Sequence, residues 1–564
     1  MRTKVKDLPY SRFDIKRLEE AIVKFQEAEK NAQSADDVMK ARKEWFEVVK
    51  DYYTNSAIAS ARYTLDTRNE FYVAEQEYYD QVAPVVGDYM TTYAKVMWES
   101  KFRADLEKLV PETVYPALEF AMKAHSPETI SDEQEENAII TRYIQLTSQL
   151  TTDWRGEQKT ISYIRGFLED SDRNVRREAA EAIDRALASV SDQLDGIYDE
   201  LVKVRTRMAR KMGYDNFIEL GYYRMKRIDY NKDMVAKFRE NVLKSIVPVV
   251  TEMKKGIQKS LGIDDMKFYD NDVIEGDGNP RPYPDEQGIL NSAKEMYNEM
   301  HPEIGAFMES MLEAEAFDVT ARDGKCGGGY CTAFDNFHQA FIFANFNGSA
   351  GDVDVTTHEF GHALAMNYAF DKEDIEGGIG SMETAETHSM SMEFFAWKYM
   401  DKFFKDAERY RYSHLAGCLT FIPYGIIVDE FQHIVYGNPD MTPAERNQAY
   451  LDLEKKYRPY MDYEGLPYLS KGTRWQFQSH IYEAPFYYID YCLAQVVALE
   501  FLAELTKDYN GALTRYMDHC KRGGQYPFNK LVKLAGLRSP FEEGALDEIA
   551  DVAKTIIANI KSAK

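Results

Sequence analysis

Thr357-His358-Glu359-Phe360-Gly361-His362-Ala363-Leu364 is the stretch on which the reading of this chain turns. Two histidines four positions apart, about 400° around a helix, project from one face and can meet one cation from the same side. Imidazole nitrogens suit Zn2+ at about 2.0–2.1 Å, and a glutamate beside the first of them can serve as general base toward an attacking water. Gly361 leaves no side chain next to the second histidine, so another backbone can come close there. The segment reads as an amphipathic helix that follows a strand and needs a second helix to complete its site.

That second helix is Ser381–Trp397, in which Glu386, Ser389 and Glu393 fall at i, i+3 and i+7 on one face. Two histidines and one carboxylate leave a fourth position open, the arrangement of a catalytic zinc site. Glu386 is the expected third ligand, and Glu393 is placed to take a hydrogen bond from the far nitrogen of a ligand imidazole. His388 competes by residue type. Upstream lie a glycine run, Gly327-Gly328-Gly329-Tyr330, and an apolar strand, Gln339–Phe346. The glycines lack the Lys-Ser/Thr ending of a phosphate loop. Beside a strand edge they instead let an extended peptide lie close. Downstream, Tyr488 and Tyr491 are i, i+3 on a helix, so both phenols can face one cleft. Amide hydrolysis passes through an oxyanion, which needs donors of this kind, and His480 offers another.

The rest of the chain bounds the answer. Its 564 residues carry 94 acidic against 69 basic side chains, a formal charge of −25. That balance argues against nucleic acid and anionic membrane surfaces as partners. Thirty-nine Tyr, 30 Phe and 5 Trp exclude a disordered chain. No run approaches the roughly 18 apolar residues of a membrane span, and the basic start lacks the apolar stretch of a secretory signal. Five scattered cysteines fit reduced thiols in the cytoplasm. Helical periodicity dominates residues 1 to 260, turns and short extended pieces fill 261–288 and 317–351, and helices return from Asp354.

His358-Glu-Phe-Gly-His362, followed 24 residues later by Glu386-x-x-Ser389-x-x-x-Glu393, resembles the thimet oligopeptidase / oligoendopeptidase F family of zinc metallopeptidases, most of all its bacterial oligoendopeptidase F and Pz-peptidase branch. Arg322–Tyr330 is similar to the family's glycine-rich loop, Phe341–Phe346 to its substrate-facing edge strand, and His480–Tyr491 to its His/Tyr-rich helix. The tyrosine spacing after His480 departs from thimet-type members, and Tyr491 carries over best. The resemblance implies a mainly α, two-lobed fold enclosing a deep channel, with one small antiparallel sheet near the active site. Residues 1–200 would form a helical lid or channel wall and 201–564 the catalytic region. It implies one Zn2+ per chain on His358, His362 and Glu386, with Glu359 as base and Glu393 behind a ligand. Tyr491 would stabilise the oxyanion with Tyr488 or His480, while Gly328, Gly329, Tyr330, Phe343 and Tyr482 would contact substrate. The expected reaction is cleavage of internal bonds in short peptides in the cytoplasm. A metallo-carboxypeptidase with the same chemistry and a zinc-stabilised binding protein are the rivals, the second disfavoured by the intact Glu359. Monomer and homodimer both stay open.

Overall fold

Most apolar residues at helical spacing in the first 120 positions close on one another. The computed structural model describes residues 3–372 and 375–562. In it Lys16–Asn31 (α1), Ala35–Leu65 (α2) and Glu70–Glu99 (α3) enclose Leu18, Ile22, Phe25, Trp45, Phe46, Tyr52, Tyr79 and Tyr93. Ser34 starts α2 with a capping box: its hydroxyl accepts from Asp37 N, and the Asp37 carboxylate accepts from Ser34 N. A second, larger core runs from Ile139 to Ala553. Residues 139–200, grouped with the N-terminal region on sequence, contribute to this larger core through Trp154, Ile183, Leu194 and Tyr198. The two cores make two lobes. A smaller cluster joins them, in which Leu8, Ile58 and Ala61 meet Phe334, Phe341 and Phe343.

The fold is mainly α, as expected, with two small sheets. Thr151–Trp154 (β1) and Glu157–Thr160 (β2) form a hairpin across Arg155-Gly156, both at positive φ (56° and 89°), the two-residue turn whose twist matches the strands. The second sheet joins Phe317–Thr320 (β3), Tyr330–Phe334 (β4) and Gln339–Phe346 (β5) in the order β3-β5-β4. β4 runs antiparallel to β5 but β3 runs parallel to it, so the sheet is mixed where a purely antiparallel one was expected. The cause is composition. β5 is buried along nearly its whole length, and so apolar a strand belongs at the centre of a sheet covered on both faces. Phe341–Phe346 is therefore not an edge strand. The outer edges belong to β3 and β4.

Five helices build the remainder of the site region: Gly351–Phe370 (α4), Met382–Phe395 (α5), Ala407–Gly437 (α6), Tyr488–Leu505 (α7) and Tyr509–Arg522 (α8). Asp352 ties the β5–α4 turn by accepting from Asn347 N (2.9 Å) and Gly348 N (2.7 Å). Phe360 anchors α4 by stacking on Tyr297, with ring centroids 3.9 Å apart. Among the described residues no helix is long and apolar enough to cross a membrane, and all five cysteines are free thiols.

Candidate active site

α4 and α5 cross with their backbones nearly in contact. A Cβ built on Gly361 would lie 2.6 Å from the His388 carbonyl oxygen and 2.7 Å from Ser389 Cα, so no other residue fits without moving a helix. The close crossing brings Glu386 beneath the two histidines. Its Oε2 is 3.3 Å from His358 Nε2 and 3.4 Å from His362 Nε2. Ser389 donates to the same oxygen at 3.1 Å. Glu386 is almost fully buried, whereas the imidazoles keep 20% and 14% of their side-chain surface open. Glu359, on the same turn as His358, is 6% exposed.

The orientation of His358 is set from behind. Its Nδ1–H donates to Glu393 Oε1 at 2.7 Å, which leaves the Nε2 lone pair facing Glu386. Glu393 Oε2 in turn accepts from His414 Nε2 at 2.7 Å, and Trp397 Nε1 donates to His414 Nδ1 at 3.1 Å. Both nitrogens of His414 are thus used. Glu393, His414 and Cys418 lie close enough to suggest a second cation site, but the hydrogen bonds assign His414 to holding Glu393. His388, the rival ligand, is fully buried on the far side of α5 beside His519, ring centroids 5.1 Å apart. His414 lies on α6, and no spacing within the sequence links it to Glu393.

The opposite wall comes from the approach to α7. Phe486 is a buried phenylalanine at φ +68°, a left-handed conformation that a bulky residue adopts only when its surroundings enforce it. Here they do. Arg227 donates to its carbonyl, its N–H donates to Gln432 Oε1 at 2.9 Å, and its ring fills the space a Cβ on Gly221 would need. The reversal turns Tyr487 toward α5, where its hydroxyl donates to Glu386 Oε1 at 2.6 Å. Tyr487 was not singled out on sequence, because an unbroken helix through Ala484–Tyr491 would have faced it elsewhere. Tyr491 lies over Tyr487 (4.9 Å) and against His480 (5.8 Å) and Tyr488 (5.6 Å). Burial and the charge of Glu386 push its phenol upward, so it remains a donor.

His480 is neutral, since burial lowers its pKa to about 4. Its tautomer follows from a chain of donors. The Tyr424 hydroxyl donates to Gln478 Oε1 at 2.6 Å, so the Gln478 amide nitrogen faces His480 Nδ1 at 2.9 Å. Nδ1 accepts, and Nε2 carries the proton.

The glycine-rich loop reaches the same place from the sheet. Asn345 Nδ2 donates to Cys326 O and Gly328 O, both at 2.9 Å, and Gly328 sits at φ +87°. A Cβ on Gly329 would stand 3.7 Å from Glu359 Oε1, so the loop backbone passes directly by that carboxylate. Two residues named on sequence as substrate contacts are elsewhere. Phe343 is wholly buried under Tyr330, rings 4.8 Å apart, because β5 is central. Tyr482 is wholly buried, stacked on Tyr143 at 4.0 Å with its hydroxyl on Leu194 O, so it is a core residue. Tyr330 stands at the head of β4, but its hydroxyl is committed to Thr64 Oγ1 (2.6 Å) on α2.

Known proteins share this architecture. The family model of Peptidase family M3 matches residues 167–551, and that of the Peptidase M3 N-terminal domain matches 5–125. The fold is similar to that of Pz peptidase A solved with an inhibitor, at TM-score 0.96 and 41% identity over 99% of each chain. It is also similar to an oligoendopeptidase F structure from Bacillus anthracis str. Ames, at TM-score 0.89 and 39% identity over 99% of this chain and 97% of that one. Group B oligopeptidase PepB of Streptococcus agalactiae serotype III (strain NEM316) is 24% identical over 411 residues, which span 67% of this chain and 63% of that relative. With the family models, the near-complete structural matches and the His358-Glu359-x-x-His362 helix agreeing, the chain belongs to peptidase family M3, peptide-bond hydrolases, in its oligoendopeptidase F branch.

Proposed function

We propose that the chain is a zinc-dependent endopeptidase that hydrolyses internal bonds of short peptides in the cytoplasm. The observation that carries this is the donor triangle. Donors about 2.0–2.1 Å from a tetrahedral ion stand roughly 3.3–3.4 Å apart. Glu386 Oε2 is 3.3 and 3.4 Å from the two imidazole nitrogens, with the far nitrogen of His358 already occupied. These residues fit a divalent cation of zinc's kind, one per chain. Bound there, Zn2+ would acidify water and polarise the scissile carbonyl.

The protein's own groups do the rest. Glu359 accepts a proton from the attacking water on its carboxylate and returns it to the leaving amine nitrogen. Tyr491 donates its phenolic proton in a hydrogen bond to the oxyanion. His480 Nε2–H and Tyr488 stand beside it as further donors. Tyr487 holds the Glu386 oxygen that does not face the histidines, which keeps that carboxylate single-pronged and a coordination position open. The free edge of β4, with Gly328 and Gly329 at its head, suits an extended peptide added as a further strand beside Glu359.

Glu359→Gln tests the roles assigned. Hydrolysis of an end-blocked peptide should fall by about 10²–10⁴-fold while the protein still carries one equivalent of zinc by elemental analysis. Undiminished hydrolysis, or loss of the metal with the base, would contradict them.

A further inference from the structure

Arginines inside this acidic protein are answered by carboxylates. Arg205 meets Glu136 at 2.6 Å, Arg227 meets Asp490 at 3.0 Å, Arg176 meets Asp270 at 2.8 Å and Arg458 meets Glu454 at 2.6 Å. Arg474, in the turn Thr473–Phe477, is partly buried and breaks the rule, and beside it stands Arg165, exposed at the end of the short helix Ile161–Arg165. Among the described residues neither guanidinium has an ion-pair or hydrogen-bond partner, and Arg474 Nη1 is shut off from water with no acceptor. The two are neighbours. Their Cζ atoms lie 5.4 and 5.8 Å from the centroid of one ring, Phe477, and Arg474 also lies 5.3 Å from Tyr424. The protein packed around Arg165, and after it the charge of Arg474, lower the pKa of Arg165. Asp272 attracts Arg165 through space without pairing with it.

Arg165 keeps its side chain open to water, but Arg474 is partly buried with one guanidinium nitrogen hidden and unanswered, which is costly unless an anion joins the pair. Ninety-four acidic residues were available to supply one, and none does. The aromatic faces hold the guanidinium planes, and their forked donors match a carboxylate. Arg474 is also linked to the reacting end of the site through a row of rings. Tyr424, under Arg474, lies 5.7 Å from Tyr488, and Tyr488 lies 5.6 Å from Tyr491. Tyr424 is also the residue that orients Gln478 and, through it, His480.

We propose that Arg165 and Arg474 form a carboxylate subsite of the peptide cleft, which takes the C-terminal carboxylate of the substrate or an acidic side chain near that end. The proposal rests on the peptidase reading above. An extended peptide advances about 3.3–3.6 Å per residue. The three contacts put Arg474 within about 17 Å of Tyr491, a span that about five extended residues can cover.

The test uses three acetylated peptides of one sequence: a free acid, its amide, and the amide with Asp at the last position. Binding is measured on zinc-loaded, full-length Glu359→Gln, and cleavage of the amide on the unaltered enzyme. The acid should bind about 10- to 100-fold more tightly than the amide. Adding Arg165→Gln or Arg474→Gln should bring that ratio close to one. Arg165 reaches water, so its variant reads recognition without disturbing a core. Recovery of affinity by the Asp-amide supports the subsite and extends it to side chains. No recovery supports it and restricts it to the terminus. Equal binding of acid and amide, or a ratio unchanged by both arginine variants, overturns the proposal. Cleavage of the amide by the unaltered enzyme stands or fails separately and reports on the peptidase reading alone.

Discussion

The two halves of the active site are built by different means. The α4–α5 half is local. His358, Glu359 and His362 share one helix, Glu386 and Glu393 share the next, and a single glycine lets the two helices touch. The α7 half is assembled at long range. Tyr487 meets Glu386 because Phe486 is held at positive φ by Arg227 and Gln432, from segments remote in sequence, against Gly221. On the proposed reading the first half sets where a cation would bind. The second would set how the carbonyl is held, and it reaches back through one hydrogen bond to the Glu386 carboxylate. Helical periodicity can write the first half into a motif, whereas only the folded chain can specify the second.

Breaking the second half alone should leave the first intact. Tyr491→Phe is expected to lower kcat by about 10²–10³-fold, the cost of one oxyanion donor at roughly 2.7–4 kcal/mol, with zinc content unchanged. Steady-state kinetics beside metal analysis checks it, and loss of metal in that variant would mean the halves are not separable. Tyr487→Phe probes the bond that links them. Removing the donor from Glu386 Oε1 should weaken zinc binding by about tenfold, read by competition with a chromogenic chelator. An unchanged affinity would assign Tyr487 to the substrate side only.

An effect on stability alone, with none expected on catalysis, lies behind α5. His519 is buried with both ring nitrogens unpartnered, and burial lowers its pKa to about 3. A depressed histidine is neutral in the folded state while the unfolded chain binds a proton below about pH 6.5. Its share of stability is therefore complete above that pH and falls by about 1.4 kcal/mol per unit as pH drops toward 3. Denaturant titrations of His519→Leu should show a shallower decline between pH 6 and 4.5 than the unaltered protein. Equal slopes would place the acid sensitivity elsewhere.

What was legible in the sequence follows the same division. His358, Glu359, His362, Glu386 and Glu393 could be placed because their spacing repeats with the helix, and Gly361 because a ligand helix needs a close neighbour. Tyr491 was legible as a helical partner of Tyr488. Tyr487 was not, since the turn at Phe486 resets the facing of the chain just before α7 begins. Phe343 and Tyr482 were misplaced for a common reason: an aromatic residue beside a motif packs as readily into the core as into the cleft, and burial decides which. The exchange of edge between β5 and β4 came from the order of strands, which short apolar runs do not encode. His414, Asn345 and the pair Arg165 and Arg474 act across long sequence separations, where a single chain gives no period to read.

The most direct measurement is cleavage of an end-blocked, internally quenched peptide of about ten residues, before and after the metal is stripped, with products identified by mass. Cutting at an internal bond, lost with the metal and restored by one equivalent of Zn2+, is the predicted result. Cleavage that persists in protein shown to be metal-free, or none by protein holding one zinc, would contradict the account.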